Sequence, residues 1–220
     1  MHNDKIITVD GPSGVGKGTL ARKLAKHFGY NLLDSGAIYR IAALHCYNVG
    51  ANLDDENDVC SKLNSLDVSF EIIDESVKVI LNNEDITTSI RTEKIGMLAS
   101  KTSAYQKVRH MLHDKMLSFA TNKGLVADGR DMGDIVFPMA KNKFFLDASS
   151  DVRAQRRFDE LSAKNLKPNF EEIKVDIEKR DFQDRNRKIA PLKPAEDAIL
   201  IDTSNLTINQ VFNSVLAEIS

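Results

Sequence analysis

The chain has 220 residues, of which 42% are hydrophobic and 28% are charged. This composition suits one large domain, or a core domain with a smaller one attached, and it excludes a large multi-domain protein and a disordered chain. Because 30 lysines and arginines stand against 32 aspartates and glutamates, the net charge is −2, and nucleic acid is not the expected partner.

Five short apolar runs, each ending in an aspartate, predict the strands of a parallel sheet. Their hydrophobicity is continuous rather than alternating, which is typical of strands that helices cover on both faces. The carboxyl ends of such strands meet at one edge, where open α/β sheets bind ligands, so we expect the functional site there. The runs are Ile6–Asp10, Asn31–Asp34, Leu125–Asp128, Phe144–Asp147 and Ile199–Asp202.

Helical periodicity follows most of these runs. After the first run, Leu20, Leu24 and Phe28 recur at i, i+4 and i+8, and Ile38 and Ile41 continue the pattern after the second. The alternation of strand and helix predicts an α/β fold with helices flanking a five-stranded parallel sheet.

Between residues 66 and 81 the period of the hydrophobic residues changes to two. This pattern predicts an antiparallel hairpin that turns at Asp74-Glu75-Ser76. Helical stretches over Ser89–Ser103 and Tyr105–Thr121 follow, before the next parallel strand.

These segments divide the chain into two predicted domains. Residues 36–105 form a small accessory domain that contains the antiparallel strands. Residues 1–35 and 106–220 form the core domain.

The sequence carries no sign of a secreted or membrane protein. Cys46 and Cys60 form no C-x-x-C pair and stand near no histidine cluster, which argues against a disulfide framework or a zinc site. No signal-peptide pattern and no charge-free apolar stretch of about 18 residues is present. We therefore expect a cytoplasmic protein without a membrane partner.

A glycine-rich segment between the first predicted strand and its helix matches the phosphate-binding P-loop, G-x-x-x-x-G-K. Its glycines let backbone N–H groups converge on a polyphosphate, to which the helix N-terminus adds partial positive charge and Lys17 a full charge. The alternative, a glycine-rich turn with a surface lysine, leaves the flanking strand and amphipathic helix unexplained. The segment consists of Gly11, Pro12, Ser13, Gly14, Val15, Gly16, Lys17, Gly18 and Thr19.

Two residues are candidates for holding magnesium. Because Gly18 follows Lys17 where the general pattern has serine or threonine, the hydroxyl facing the ion must come from Thr19, or water replaces it. Asp128, at the end of a neighbouring strand, is the candidate carboxylate, bound directly or through water. The alternative is that Asp128 caps a strand-to-loop turn, as we expect for the aspartates that end the other four strands.

Two arginine-rich helical segments supply the positive charge that phosphoryl transfer requires. Arg153 and Arg157 share one face of the first helix, and Arg180, Asp184 and Arg187 share one face of the second. Such segments are usually solvated, salt-bridged helices. Beside a P-loop, we interpret them as a lid, around residues 150–190, that closes over phosphates.

Together these motifs resemble those of bacterial-type cytidylate kinases, a family of nucleoside monophosphate (NMP) kinases. Four segments carry the resemblance, in this order and with the predicted hairpin between the second and the third, and it covers nearly the whole chain. In this family G-K-G-T is the regular form of the loop, so Gly18 is no longer a departure. The segments are Asp10–Thr19, Leu33–Arg40, Ala127–Gly133 and Arg180–Arg187.

The resemblance implies a P-loop kinase fold with a lid and an NMP-binding domain. It also implies ATP with Mg²⁺ as the donor and CMP or dCMP as the acceptor, which yields CDP or dCDP. By motif position, the residues that line the acceptor site or hold the CMP phosphate are Ser35, Tyr39, Arg40, Arg130 and Arg187. Those that recognise cytosine are Ser100, Arg109 and Asp131, and those that hold the sugar are Arg180 and Asp184.

The chemistry of these residue types agrees with the assignment. Cytosine presents an amino donor beside two acceptors, which suit a carboxylate or hydroxyl and an arginine respectively. We expect direct in-line attack by a CMP phosphate oxygen on the γ-phosphorus, without a general base, while Lys17, Arg153 and Arg157 neutralise charge and Asp128 helps to hold magnesium.

Two other functions remain open at this point. One is a P-loop kinase for another small acceptor, such as UMP, shikimate or dephospho-coenzyme A. The other is a nucleotide-gated switch, although the stretch Asn142-Lys143-Phe144-Phe145 lacks the aspartate of a guanine-reading N-K-x-D motif. For the CMP kinase we expect a monomer that binds the small-molecule nucleotides ATP, CMP and dCMP.

We predict that Lys17→Ala or Arg157→Ala lowers turnover by orders of magnitude and leaves the fold intact, because each removes charge that stabilises the transferring phosphoryl group. Steady-state kinetics with CMP and circular dichroism of the purified variants test this. Near-normal CMP phosphorylation by Lys17→Ala would remove the loop from the mechanism.

Overall fold

Five parallel strands form the central sheet of the computed structural model, which describes residues 3–63, 66–74 and 76–219. Numbered in chain order with the strands of a second sheet, they are β1 (Ile6–Asp10), β2 (Asn31–Asp34), β6 (Leu125–Gly129), β7 (Asn142–Asp147) and β8 (Ile199–Asp202). Their order across the sheet is β2-β6-β1-β7-β8. All five predicted strands are confirmed, and the largest difference is at β7, which begins two residues before Phe144.

The parallel register aligns the carboxyl ends of the strands at one edge. Asp10 of β1 pairs with Gly129 of β6, and Asp34 of β2 pairs with Asp128. The loop after β1 and the loop after β6 therefore start side by side.

Helices cover both faces of this sheet, as the continuous hydrophobicity of the strands predicts. Ile7 and Val9 of β1 lie in a cluster with buried side chains of α1 and α8. Ile6 lies in a second cluster, with side chains of α2 and α5. The helices are α1 (Lys17–Phe28), α2 (Ser35–Asn48), α3 (Glu56–Lys62), α4 (Glu93–Thr102), α5 (Gln106–Leu117), α6 (Ser150–Ala163), α7 (Phe170–Asn186) and α8 (Ile208–Glu218).

Within the described ranges, none of the helices combines the length and apolarity needed to cross a bilayer.

The predicted hairpin is confirmed and belongs to a separate antiparallel sheet of order β3-β4-β5. Val79 and Leu81 lie in the same hydrophobic cluster as α2 and α5, so this sheet packs on one side of the core. Glu75, in the predicted turn, lies outside the described residues. The strands are β3 (Val68–Ile73), β4 (Ser76–Leu81) and β5 (Glu84–Asp85).

The predicted helix over Ser89–Ser103 is divided. A 3₁₀ turn over Ser89–Arg91 precedes α4, and Thr92 stands between them with an extended ψ of 151°. The Thr92 hydroxyl accepts a hydrogen bond from the Ile95 N–H at 3.3 Å, which satisfies a free donor at the start of α4. The helix predicted over Tyr105–Thr121 is α5, which ends at Leu117.

Two glycines with positive φ provide a matched test of the packing at β6. Gly124 precedes β6 with φ +100°, and a Cβ added there would lie 2.5 Å from the Tyr30 ring, whereas Gly50 has φ +73° and no heavy atom within 4 Å of such a Cβ. We expect Gly50→Ala to cost about 1 kcal/mol and Gly124→Ala at least about 3 kcal/mol, because the added Cβ also clashes with the Tyr30 ring. Urea unfolding measures both, and equal losses would contradict the packing.

Candidate active site

The P-loop leaves β1 at Gly11 and is shaped by positive φ angles at Gly11, Gly14 and Gly16. A Cβ at Gly11 would lie 2.1 Å from the backbone oxygen of Leu146 in β7. No side chain fits there, so this glycine lets the loop cross the end of the neighbouring strand. Gly16 caps α1 in the left-handed conformation, which directs the first N–H groups of the helix towards the loop.

Lys17 is the first residue of α1, and its ammonium lies inside the loop. It donates a hydrogen bond to the Pro12 carbonyl at 2.8 Å and stands 4.0 Å from a carboxylate oxygen of Asp128. Burial, and next the positive charge of Arg130, lower the pKa of Lys17. Burial also raises the pKa of Asp128, against the opposing effect of Lys17. A bound polyphosphate would place negative charge beside the ammonium and so raise the pKa of Lys17 again.

The residues predicted to hold magnesium fit that ion. Thr19 is exposed on the first turn of α1. The Asp128 carboxylate lies over Gly18, where a Cβ would come within 3.3 Å of its oxygen, so the missing side chain keeps the approach to the carboxylate open. Among the described residues, no group of three His, Cys, Asp or Glu side chains could hold a metal. Magnesium typically relies on one or two protein oxygens, water and substrate phosphates, which agrees with this sparse set.

Positive charge converges beside the loop. Burial is the main cause that lowers the pKa of Arg40, and the positive charge of Arg180 is the second. For Arg180 the main cause is again burial, and the second is the positive charge of Arg130. Arg157 acts on both Arg40 and Arg180, and Arg130 acts on Lys17. These five cations lie on five separate segments of the chain, and an anion bound among them would relieve their mutual repulsion.

Carboxylates hold several of these arginines in place. The Asp184 carboxylate accepts a hydrogen bond from Arg130 Nε at 2.9 Å and lies 3.9 Å from Arg187. Arg187 Nε donates to the Ala190 carbonyl, but its Nη2 is buried without a hydrogen-bond partner. An unpaired buried donor is costly, so a ligand oxygen at this atom would be strongly favoured.

A buried ion pair joins Arg109 of α5 to Asp131, which follows β6. The side chains are only 9% and 4% exposed. The Arg109 guanidinium also lies 5.3 Å from the centre of the Tyr39 ring, and burial raises the pKa of Tyr39 to about 12. This corner therefore offers a carboxylate, a guanidinium and an aromatic face within one small volume.

The other predicted acceptor residues lie on α2 and α4. Ser35 is buried at the start of α2, beside Gly129. Arg40 donates to the backbone oxygens of Ile90 and Thr92 at 2.8 and 3.2 Å. Ser100 lies exposed on α4, on the segment that Arg40 holds.

Arg153 and Arg157 of α6 have different surroundings, although they share a helical face. Arg157 is half exposed and pairs with Glu160 at 2.7 Å. Arg153 is 3% exposed and donates to the Ser13 carbonyl of the P-loop at 3.2 Å and to both carboxylate oxygens of Asp181 at 3.0 and 2.5 Å. Arg153 thus links the loop to α7, and its contact with a phosphate stays a prediction.

Sequence reasoning missed the roles of Arg156 and Asp181. Arg156 donates to the Thr203 carbonyl at 2.6 Å, and the Thr203 hydroxyl contacts the P-loop carbonyl of Val15 at 3.3 Å. Asp181 holds Arg153 as described. Both residues adjoin residues that the sequence analysis singled out, but only the fold shows which backbone carbonyl or carboxylate they meet.

These features define a class of protein. A parallel sheet whose first strand leads through a glycine-rich loop into a helix, with a buried lysine in the loop and arginines around it, is the P-loop kinase fold. A crystal structure of an uncharacterized protein from Eubacterium ventriosum ATCC 27560 has a similar fold, with a TM-score of 0.52, 13% identity and coverage of 98% of both chains.

The family is narrower than that class. The family model for cytidylate kinase matches residues 7–220, and the chain belongs to this family, which makes it a nucleoside monophosphate kinase and confirms the resemblance. It is 48% identical to a cytidylate kinase of Pasteurella multocida (strain Pm70), over 100% of this chain and 96% of the relative. It is 49% identical to a cytidylate kinase of Aeromonas salmonicida (strain A449), over 96% and 92% of the two chains. Family membership implies ATP as the phosphate donor.

The lowered pKa of Lys17 predicts proton uptake when ATP binds without magnesium. At a pH of about 9, below the ordinary lysine pKa but above the lowered one, part of the Lys17 population is neutral, and the triphosphate raises its pKa again, so the complex binds additional protons. Calorimetry in two buffers of different ionisation enthalpy measures this uptake. Lys17→Arg, whose guanidinium stays protonated, is the control, and equal uptake by both proteins would exclude Lys17 as the source.

Proposed function

We propose that the protein transfers the γ-phosphate of ATP to CMP and dCMP, which yields CDP and dCDP. The observation that carries this proposal is the convergence of Lys17, Arg40, Arg130, Arg157 and Arg180 beside the P-loop, next to the buried pair of Arg109 and Asp131. The cations suit two phosphorylated substrates, and the pair suits a cytosine base.

On the donor side, the P-loop from Gly11 to Thr19 holds the triphosphate of ATP through its backbone N–H groups. Lys17 turns from the Pro12 carbonyl to the β- and γ-phosphates, and Arg157 and Arg153 neutralise charge on the transferring group. Thr19 and Asp128 would hold Mg²⁺, directly or through water. The ion, when bound, would supply positive charge that stabilises the transferring phosphoryl group.

On the acceptor side, Arg40, Arg130 and Arg187 bind the CMP phosphate. The unpartnered Nη2 of Arg187 supports this role, because it is a buried donor without an acceptor. Asp184 exchanges part of its contact with Arg130 for a sugar hydroxyl, with Arg180 beside it. The phosphate oxygen of CMP is already anionic, so no general base is required. It attacks the γ-phosphorus in line while the bond from that phosphorus to the β-phosphate oxygen breaks, and ADP leaves.

At the base, Asp131 accepts from the N4 amino group of cytosine, while Arg109 donates to its ring acceptors and Ser100 adds a hydroxyl. Ser35 and Tyr39 line the same site. Uracil presents a carbonyl where cytosine has the amino group, so Asp131 would face an acceptor and lose a hydrogen bond. This discrimination favours CMP over the alternative acceptor UMP.

The nucleotide-switch alternative has no supporting contact. Lys143 of the stretch Asn142-Lys143-Phe144-Phe145 is 5% exposed and donates to the Pro138 carbonyl and to Asp197. It therefore serves the packing of β7 rather than the reading of a base.

We further infer the assembly and location of the enzyme. Residues 36–105 act as the NMP-binding domain, residues 1–35 and 106–220 as the core domain, and the segment around 150–190 as a lid whose closure excludes water. The enzyme works as a cytoplasmic monomer on free nucleotides, without nucleic acid or membrane. A net charge of −2 supports the proposal that nucleic acid is not a partner.

The acceptor is tested by replacing Asp131. With saturating ATP and magnesium, we expect the kcat/KM of the wild-type enzyme to be highest for CMP and dCMP. Asp131→Asn should lower the kcat/KM for CMP about 100-fold. It should change the kcat/KM for UMP little, because the asparagine amide can donate to the uracil carbonyl. The matched control is Asp134→Asn, since Asp134 pairs with Lys193 near the surface.

Each outcome of this panel has a clear meaning. If the wild-type enzyme has a higher kcat/KM for UMP than for CMP, the acceptor is UMP rather than CMP. Tight nucleotide binding without turnover of any acceptor would favour the switch. A proportional loss of CMP and UMP turnover in Asp131→Asn would remove Asp131 from base recognition.

A further inference from the structure

Asp10 links the strand that carries the P-loop to the segment that carries the acceptor residues. It is the last residue of β1 and directly precedes Gly11. Its carboxylate is 5% exposed and accepts two backbone hydrogen bonds, from the Met132 N–H at 2.9 Å and from the Gly133 N–H at 2.8 Å. Each oxygen receives one bond.

These two bonds continue the contact between β1 and β6 beyond the point where the sheet ends. The pairing of the strands stops at Asp10 and Gly129, and Arg130 and Asp131 follow immediately. The next backbone donors, those of Met132 and Gly133, bond to the Asp10 side chain. Arg130 and Asp131 are therefore held between two attachments to β1.

The second attachment is a close one. Gly133 lies in a π-helical turn over Met132–Val136, and a Cβ at Gly133 would come within 2.8 Å of the Thr8 hydroxyl and 3.4 Å of an Asp10 oxygen. The turn thus packs directly onto β1, and only glycine allows this distance. Met132, whose N–H Asp10 holds, is fully buried.

Keeping a carboxylate here is costly, which indicates that its particular geometry matters. Burial raises the pKa of Asp10 to about 6, although both backbone hydrogen bonds favour the ionised form. An asparagine has one acceptor oxygen, and its amide nitrogen would face one of the two N–H donors. The two-oxygen acceptor therefore cannot be replaced by the neutral side chain of the same shape.

We propose that Asp10 is a positioning residue for the acceptor, which fixes Arg130 and Asp131 relative to the P-loop and so determines CMP affinity and the discrimination between CMP and UMP. The inference rests on the proposed function. Asp10 touches neither nucleotide, and its effect passes through the backbone of Met132 and Gly133.

The test compares Asp10→Asn with Asp202→Asn. Asp202 also ends a strand and accepts a backbone hydrogen bond, from Ser204 at 2.8 Å, but β8 lies at the far edge of the sheet. For Asp10→Asn we expect the KM for CMP to rise about 10-fold or more. The preference for CMP over UMP should fall by a similar factor. Displacement of binding groups by a fraction of an ångström has effects of this size. The KM for ATP should change less than about 3-fold, and Asp202→Asn should behave as the wild type.

If Asp10 had a purely structural role, its replacement would lower the free energy of unfolding without raising the KM for CMP more than the KM for ATP. Asp10→Asn with an unchanged KM for CMP, or with equal rises in both KM values, would overturn the inference. If Asp10→Asn does not fold, the same measurements on Gly133→Ala, which disturbs this contact from the other side, decide the question by the same criteria. If the wild-type protein does not phosphorylate CMP, both the proposed function and this inference are overturned. If the wild-type protein phosphorylates CMP but the variant changes the KM for CMP no more than the KM for ATP, only the inference is overturned.

Discussion

The parallel pairing of β1 with β6 is the constraint on which the site depends. It places the end of the P-loop strand beside the end of the strand that leads to Arg130 and Asp131. The P-loop, which we propose holds the donor, and the loop proposed to meet the acceptor therefore start about one strand spacing apart, roughly 5 Å. The backbone hydrogen bonds of the sheet therefore set the spacing between these two loops before any ligand binds.

Carboxylates near this edge keep the surrounding cations ordered without a ligand. Asp131 pairs with Arg109, Asp184 with Arg130, and Asp181 with Arg153. These pairs offset part of the repulsion among the cations and fix the direction of each guanidinium. A phosphate or a base that enters must compete with them, so binding exchanges one set of charged hydrogen bonds for another. The gain comes from a donor left without a partner, such as Nη2 of Arg187.

The sequence was sufficient for the sheet and the loop, and insufficient for the partners of individual side chains. Continuous apolar runs identify the five strands because burial on both faces leaves no alternation. β5 has two residues and α3 buries only Val59, so neither carries a periodic signal. Spacing places Arg153 and Arg157 on one face, but it cannot show that only Arg153 lies over the P-loop. Asp10 is predictable as a structural aspartate, yet its partners are 122 and 123 residues away in the chain.

The bridge from Ser13 through Arg153 to Asp181 has a thermodynamic consequence. It connects the P-loop to the helix that bears Arg180 and Asp184. With the donor in the loop and the acceptor at this helix, as proposed above, a loop rearrangement that alters these hydrogen bonds would change the free energy of the helix. Linkage requires this influence to be mutual. If the first nucleotide changes the affinity for the second by some factor, the second changes the affinity for the first by the same factor. Arg153 would thus couple the binding of the two proposed nucleotides.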